Sequence, residues 1–273
     1  MAKKKKTNKK KVIMTVSIVV VVFLVVQLTA MGWIGGLGPL GFLAQVRMSR
    51  IPGNAEEYHL DHVQPLTNSP LRGKTICFLG SSVTYGDASL GVSMADYIAK
   101  LDGCTIIKEA VSGTTLAGSG SSTYPSRLLE NVDPNASIDI LVCQLSTNDA
   151  SQKKALGSVL DSTDLEAFDR ETVVGAMEYI IAYAKTTWGC DVVFYTGTRY
   201  DSPEYQAMVD VLPALKEKWD IGVIDLWNDP EMNAVSQANY DLYMNDNIHP
   251  TQAGYLKWWV PKFQQALYER VAG

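Results

Sequence analysis

The stretch KTICFLGSSVTYG, residues 74–86, sets the frame for the rest of the chain. Its apolar part, Thr75 to Leu79, ends at Gly80 and is followed at once by two serines. A short continuous apolar run that stops at a glycine is the pattern of a strand buried on both faces of a parallel sheet. Four further runs share it: 104–110 (CTIIKEA), 138–145 (IDILVCQL), 191–196 (DVVFYT) and 221–225 (IGVID). Helical patterns separate the later runs. Over 168–187, Val173, Met177, Ile180, Ile181 and Ala184 recur at spacings of three and four, which makes one apolar stripe. A second helix is predicted over 203–219 through Tyr205, Met208, Leu212, Leu215 and Trp219, with Pro213 either kinking it or marking its true start. A last helix follows Pro250, capped by Thr251 and docked by Tyr255, Trp258, Trp259, Phe263 and Leu267. Strand and helix in alternation predict an α/β three-layer sandwich, a central parallel sheet of about five strands with helices on both faces.

The chain ahead of this region is different in kind. Residues 1–11 hold seven lysines and no acid, and residues 12–33 hold no charge at all. The apolar segment 12–31, as a helix rising about 1.5 Å per residue, is ~30 Å long, the thickness of a bilayer core. Lysines ahead of it favour a cytoplasmic N-terminal tail, with everything after residue 33 facing outward. A cleaved signal peptide is the alternative: Ala30 and Gly32 offer small residues for cleavage near residue 32, and the domain would then be secreted. The apolar regions of such peptides run to about 7–15 residues, shorter than this one, which favours a retained anchor. Residues 34–72, rich in Gly, Pro, Asn and Ser, read as a linker and entry segment, and residues 73–273 as the folded domain.

The chain has 24 basic and 29 acidic residues, for a net charge of −5. Seven of those basic residues lie in the tail and every acid lies beyond it, so the portion from residue 34 onward carries −12. Nucleic acid is a poor partner for such a surface, because phosphate binding needs a basic face. Cys77, Cys104, Cys143 and Cys190 form no CxxC pair, and with three histidines in the chain a zinc site is not expected. The cysteines are expected as buried free thiols, and His59 and His62, in HLDH, as surface residues.

In a parallel sheet, ligands bind at the carboxyl ends of the strands. The segments placed there are GSSVTYG (80–86), VSGTT (111–115), STND (146–149) and TGTRY (196–200), with DNIHP (246–250) near the C-terminus. None of these segments carries a Walker ending, a G-x-G-x-x-G or a G-x-S-x-G elbow. No metal or cofactor is expected. A serine nucleophile needs a base, and the base an orienting acceptor. His249 is the one histidine after residue 73, and Asp246 precedes it by three residues, near enough for the carboxylate to fold back onto the imidazole.

With these blocks in this order, the domain resembles the SGNH hydrolases, also called the GDSL esterase/lipase family. The resemblance implies a flavodoxin-like fold with Ser82 as nucleophile, His249 as base and Asp246 as its partner. It assigns the oxyanion to the Ser82 N–H, the Gly113 N–H and the Asn148 amide. Ser81 stands where the family usually keeps Asp, and Ser146 where Gly is usual. Asp149 is expected to hold its loop. Thr84, Tyr85 and Arg199 are candidates to line the pocket, along with Tyr200. The resulting expectation is a membrane-anchored, extracytoplasmic serine esterase. It would remove acetyl or short acyl groups, with envelope or extracellular glycans as the substrate class. The alternatives are an acyltransferase acting on an envelope polymer and a non-catalytic anchored binding domain.

Overall fold

The computed structural model describes residues 2–35, 38–40 and 42–272, and the chain divides into two compact units, Met1–Ile51 and Pro52–Gly273. In the first, a helix spans Ala2–Gly35, and its stretch Met14–Met31 has a mean hydropathy of 2.5 and exposes its apolar side chains all round. A helix apolar on every side has no polar stripe to turn toward water, the pattern of a bilayer span or a signal sequence.

The second unit is built on five parallel strands: β1 (Thr75–Gly80), β2 (Thr105–Ala110), β3 (Ile140–Gln144), β4 (Asp191–Tyr195) and β5 (Gly222–Ile224). Their order is β2-β1-β3-β4-β5, with Cys77 beside Ile107 on one side and Leu141 on the other. Side chains alternate between faces with the two-residue strand period. Ile76 and Phe78 of β1, with Ile140 and Val142 of β3, pack with Met94, Ile98, Trp259 and Phe263 of the helices Met94–Asp102 and Val260–Ala272 and the turn between Tyr255 and Trp259. Cys77, Leu79, Leu141 and Cys143 pack on the opposite face with Leu128, Met177, Ile180 and Leu215. Those residues belong to the helices Tyr124–Asn131, Val173–Thr187 and Leu212–Trp219.

Three helix boundaries depart from the sequence pattern. The predicted 168–187 helix starts at Val173, because the Thr172 hydroxyl caps the Gly175 N–H at 3.2 Å. The predicted 203–219 helix is two, Pro203–Val209 and Leu212–Trp219, with Pro213 in the first turn of the second, where its missing N–H costs nothing. The last helix is capped by Thr251 and widens to a π turn over Tyr255–Trp259 before continuing to Ala272. Pro261 has no N–H to return to Lys257, so a wider turn is accommodated there.

The compact unit begins earlier than residue 73. Leu71 is fully buried and Val63 nearly so, both in the core beneath β1, and the Tyr97 hydroxyl donates to Tyr58 O at 2.6 Å. Residues 52–72, read from composition as linker, are part of this unit because their few apolar side chains are placed to enter its core.

Candidate active site

The strand order reverses between β1 and β3: β1 continues to β2 on one side, and β3 to β4 on the other. The crevice at such a switch point is where open α/β sheets bind ligands, and Ser82 stands there. The turn that places it is tight. A Cβ on Gly80 would lie 1.8 Å from Thr84 Oγ1, so only glycine fits. Gln144, the last residue of β3, aims its Oε1 at this turn and accepts the Ser81 N–H at 2.9 Å, the Thr84 N–H at 3.2 Å and the Thr84 hydroxyl at 2.8 Å. The chain enters the short helix Ser82–Tyr85 with Ser82 at its first position.

The two serines of the motif take opposite directions. Ser81 is fully buried, and its Oγ has no partner among the described residues. Ser82 Oγ lies 2.8 Å from His249 Nε2. On the other side of the imidazole, Nδ1 sits 3.0 Å from Asp246 Oδ1 and 2.9 Å from Oδ2. Asp246 Oδ1 also accepts the N–H groups of Ile248 and His249, each at 2.8 Å. Partial burial pushes the Asp246 carboxyl up. The His249 hydrogen bond, the electrostatic attraction of that ring and the two N–H groups outweigh it, leaving the carboxyl well below the usual range. Asp246 is therefore a fixed anion, and Nδ1 carries the proton that faces it. Nε2 is left as the acceptor for the serine hydroxyl.

Asn148 enters from the end of β3, in the helix Thr147–Ser151, and its Nδ2 donates to Thr114 O at 2.9 Å. That uses one of the two amide hydrogens, and the second remains for a ligand. Gly113, with φ +81°, lies in the loop after β2. Two buried groups hold this loop in place. Asp149 accepts the Leu116 N–H at 2.7 Å and the Ala117 N–H at 2.8 Å, while burial, partly countered by these bonds and by Ser146, raises its carboxyl pKa. Arg127 reaches Gly80 O at 2.8 Å and Thr114 Oγ1 at 3.1 Å and pairs with Glu109 at 2.6 Å, tying the β1 turn to the same loop.

The sequence pattern misplaced one residue and missed several. Thr84, expected to line the pocket, is fully buried, its hydroxyl shared between Gln144 and the Tyr195 hydroxyl at 2.6 Å. Two residues along a helix turn a side chain by about 200°, so Thr84 faces away from Ser82. Tyr85, three residues along, returns toward the Ser82 side and is 43% exposed. Arg199 is exposed, donating to Asn228 Oδ1 at 2.8 Å with its guanidinium 5.8 Å from the Trp227 ring centre. Gln144 carried a signal, as the one strongly polar residue of an otherwise apolar strand. Arg127 carried none, because its partners Gly80, Glu109 and Thr114 lie far from it in sequence.

The four cysteines are free and buried, and burial pushes the Cys77 thiol up to about 12 and the Cys104 and Cys190 thiols up to about 11. His59 and His62 lie by Asn54 O and Glu56, at 3.2 and 3.7 Å. Among the described residues, no three His, Cys, Asp or Glu side chains cluster as metal ligands would.

Residues 78–257 match the GDSL-like lipase/acylhydrolase family, and the chain belongs to this family of hydrolases. Comparison with curated proteins gives no match. Among solved structures, the chain is similar to a protein from Lactobacillus plantarum, at 18% identity and TM-score 0.57 over 74% of this chain and 97% of that one. A possible lipase from Chitinophaga pinensis shares 14% identity over 72% of this chain and 98% of its own, with a TM-score of 0.55. A family two carbohydrate esterase from Clostridium thermocellum, solved with cellohexaose, shares 14% identity at TM-score 0.51, covering 77% of this chain and 66% of its own. At these identities the likeness is one of fold.

Proposed function

We propose that this protein is a membrane-anchored serine esterase that removes acetyl or other short acyl groups from glycans outside the cytoplasm. The observation that carries the reading is the continuous chain Ser82 Oγ, His249, Asp246, with contacts of 2.8 and 2.9 Å. Ser82 Oγ attacks the ester carbonyl carbon while its proton passes to His249 Nε2. The oxygen that becomes negative is met by the N–H groups of Ser82 and Gly113 and the free amide hydrogen of Asn148. Collapse of this adduct breaks the bond to the alcohol, which leaves with the proton from His249. Water then gives a proton to His249 and its oxygen to the acyl carbon, and the acid departs as Ser82 recovers its hydrogen. Asp246 stays ionised and stabilises the imidazolium in both halves. Ser82 keeps only 7% of its surface exposed, and the exposed Tyr85 ring stands one helical turn away. A small acyl group suits that setting. The glycan is inferred from the apolar N-terminal helix, which supports a tether at the cell surface, and from the carbohydrate esterase among similar structures.

The test uses the full chain in detergent micelles with p-nitrophenyl acetate and an acetylated oligosaccharide. Ser82→Ala is expected to lower kcat by about 10⁴-fold or more, while Ser81→Ala keeps substantial activity. A Ser82→Ala protein as active as the parent would sink the mechanism. Acetate that moves to an added glycan instead of water marks a transferase, and no turnover of either ester marks a binding domain. For the anchor, an intact N-terminus in the membrane fraction is expected, and a mature chain that begins near Trp33 would refute it.

A further inference from the structure

We propose that Asn54 is a positioning residue for the Ser82 and His249 pair, an inference that rests on the esterase reading above. Asn54 lies outside residues 78–257, the part of the chain that matches the family. It is 1% exposed. Its Nδ2 donates to Ala88 O at 2.8 Å, in the turn Asp87–Ser89 that leaves the Ser82 helix. Its Oδ1 accepts the Gln252 N–H at 2.9 Å, in the first turn of the helix that begins just after His249. One planar amide therefore spans the loop behind the nucleophile and the helix start behind the base.

Two other bonds join the same elements directly. Gln252 Nε2 donates to Ser89 O at 3.1 Å, and the Tyr255 hydroxyl donates to Val83 O at 2.6 Å. Asn54 adds a third tie from a separate segment, and the backbone there is shaped for it. A Cβ on Gly53 would lie 2.1 Å from Leu242 O and 2.3 Å from Thr251 Oγ1, so only glycine lets the turn Pro52–Asn54 come close enough. His249 reaches Ser82 across a sequence separation of 167 residues, and what fixes their 2.8 Å contact is the packing of the two segments that carry them. Proton transfer depends on that distance, and a displacement of about 1 Å typically costs on the order of 10²-fold. Asn54 is 1% exposed and so offers no surface to a substrate. Its loss therefore falls on kcat rather than KM.

The test uses the full chain in detergent micelles with p-nitrophenyl acetate, at temperatures where circular dichroism shows each variant folded. Asn54→Ala is expected to lower kcat about 10- to 100-fold, with KM within about threefold. Asn54→Asp has the same shape and keeps an acceptor for the Gln252 N–H. Ionised, it has no donor for Ala88 O, and protonated it regains one. Its kcat relative to the parent is therefore expected to rise as pH falls from about 8 to about 5. A merely structural role would lower the melting temperature and leave both kcat per folded molecule and this pH-dependent ratio unchanged, and that result overturns the proposal. If Asn54→Ala fails to fold, the Asn54→Asp ratio decides alone. A parent with no esterase activity would refute the underlying reading, and this inference with it. An active parent with unaffected Asn54 variants refutes only the role of Asn54.

Discussion

Replacing Asp246 by asparagine probes how His249 is held, and the hydrogen bonds around the carboxylate decide the outcome. Oδ1 accepts two backbone N–H groups, from Ile248 and His249, at 2.8 Å each. Oδ2 faces His249 Nδ1 at 2.9 Å and the Asn245 amide at 3.2 Å. In the variant, the one remaining oxygen stays with the two backbone donors, because turning the NH₂ group toward them would leave both unpaired. The NH₂ group then falls where Oδ2 was and points a donor at Nδ1. The imidazole answers by moving its proton to Nε2, so a donor now faces Ser82 Oγ in place of the base. A base in the wrong tautomer costs about 10³–10⁴-fold in kcat, or about 4–5.5 kcal/mol of transition-state stabilisation. KM should change little. The assay is p-nitrophenyl acetate hydrolysis at neutral pH by the full chain in micelles, with circular dichroism to confirm the fold. A variant with kcat within about tenfold of the parent would show that Asp246 does not set the tautomer. Stability offers an independent check. The folded carboxyl titrates below its unfolded value of about 3.9, so its ionised form stabilises the fold above that pH. The contribution fades as pH falls through the folded pKa. The parent should therefore lose its stability advantage over Asp246→Asn in acid and not near neutrality.

Other perturbations separate chemistry from scaffold. Asn148→Ala removes the amide proposed to meet the developing oxyanion, and kcat is expected to drop about 10²–10³-fold with the fold intact; an unchanged kcat would remove Asn148 from that role. Thr84→Val is expected to cost about 1–3 kcal/mol in urea unfolding, because it leaves the buried Tyr195 hydroxyl without its partner. KM should stay at the parent value, and a raised KM would return Thr84 to the pocket wall. Arg127→Met strands Glu109 and Gly80 O, and an equilibrium denaturation loss of about 3–5 kcal/mol is expected. A loss under about 1 kcal/mol would mean water replaces the guanidinium.

The strand runs were legible because burial on both faces of a sheet writes itself into local composition. Four of the five runs contain the strand found there, and β1 runs one residue past the first, to Gly80. The motif residues were legible because Ser82 follows the first apolar run at once and Asp246 stands three residues before the one histidine after residue 73, and the structure brings the three together. Helix ends were less so. Thr172 starts at 173 a helix expected from 168, and the turn at 210–211 divides what periodicity joined. The start of the domain was misread because residues 52–72 carry few apolar side chains, and composition does not tell that Val63 and Leu71 enter the core.

The sequence by itself determined the strands, their alternation with helices, the apolar N-terminal helix and the residue types able to do ester chemistry. These rest on periodicity, scarcity and length, which are properties of neighbours along the chain. The tertiary structure alone decided that Thr84 turns inward, that Gln144 and Arg127 build the turn and loop around Ser82, and that Asn54 spans the segments behind Ser82 and His249. Each of those depends on the packing of distant segments, because a hydrogen bond forms only where the fold brings its two groups within 3 Å or so. Asn54 and Gln252 are 198 residues apart in sequence, a separation that leaves no local trace.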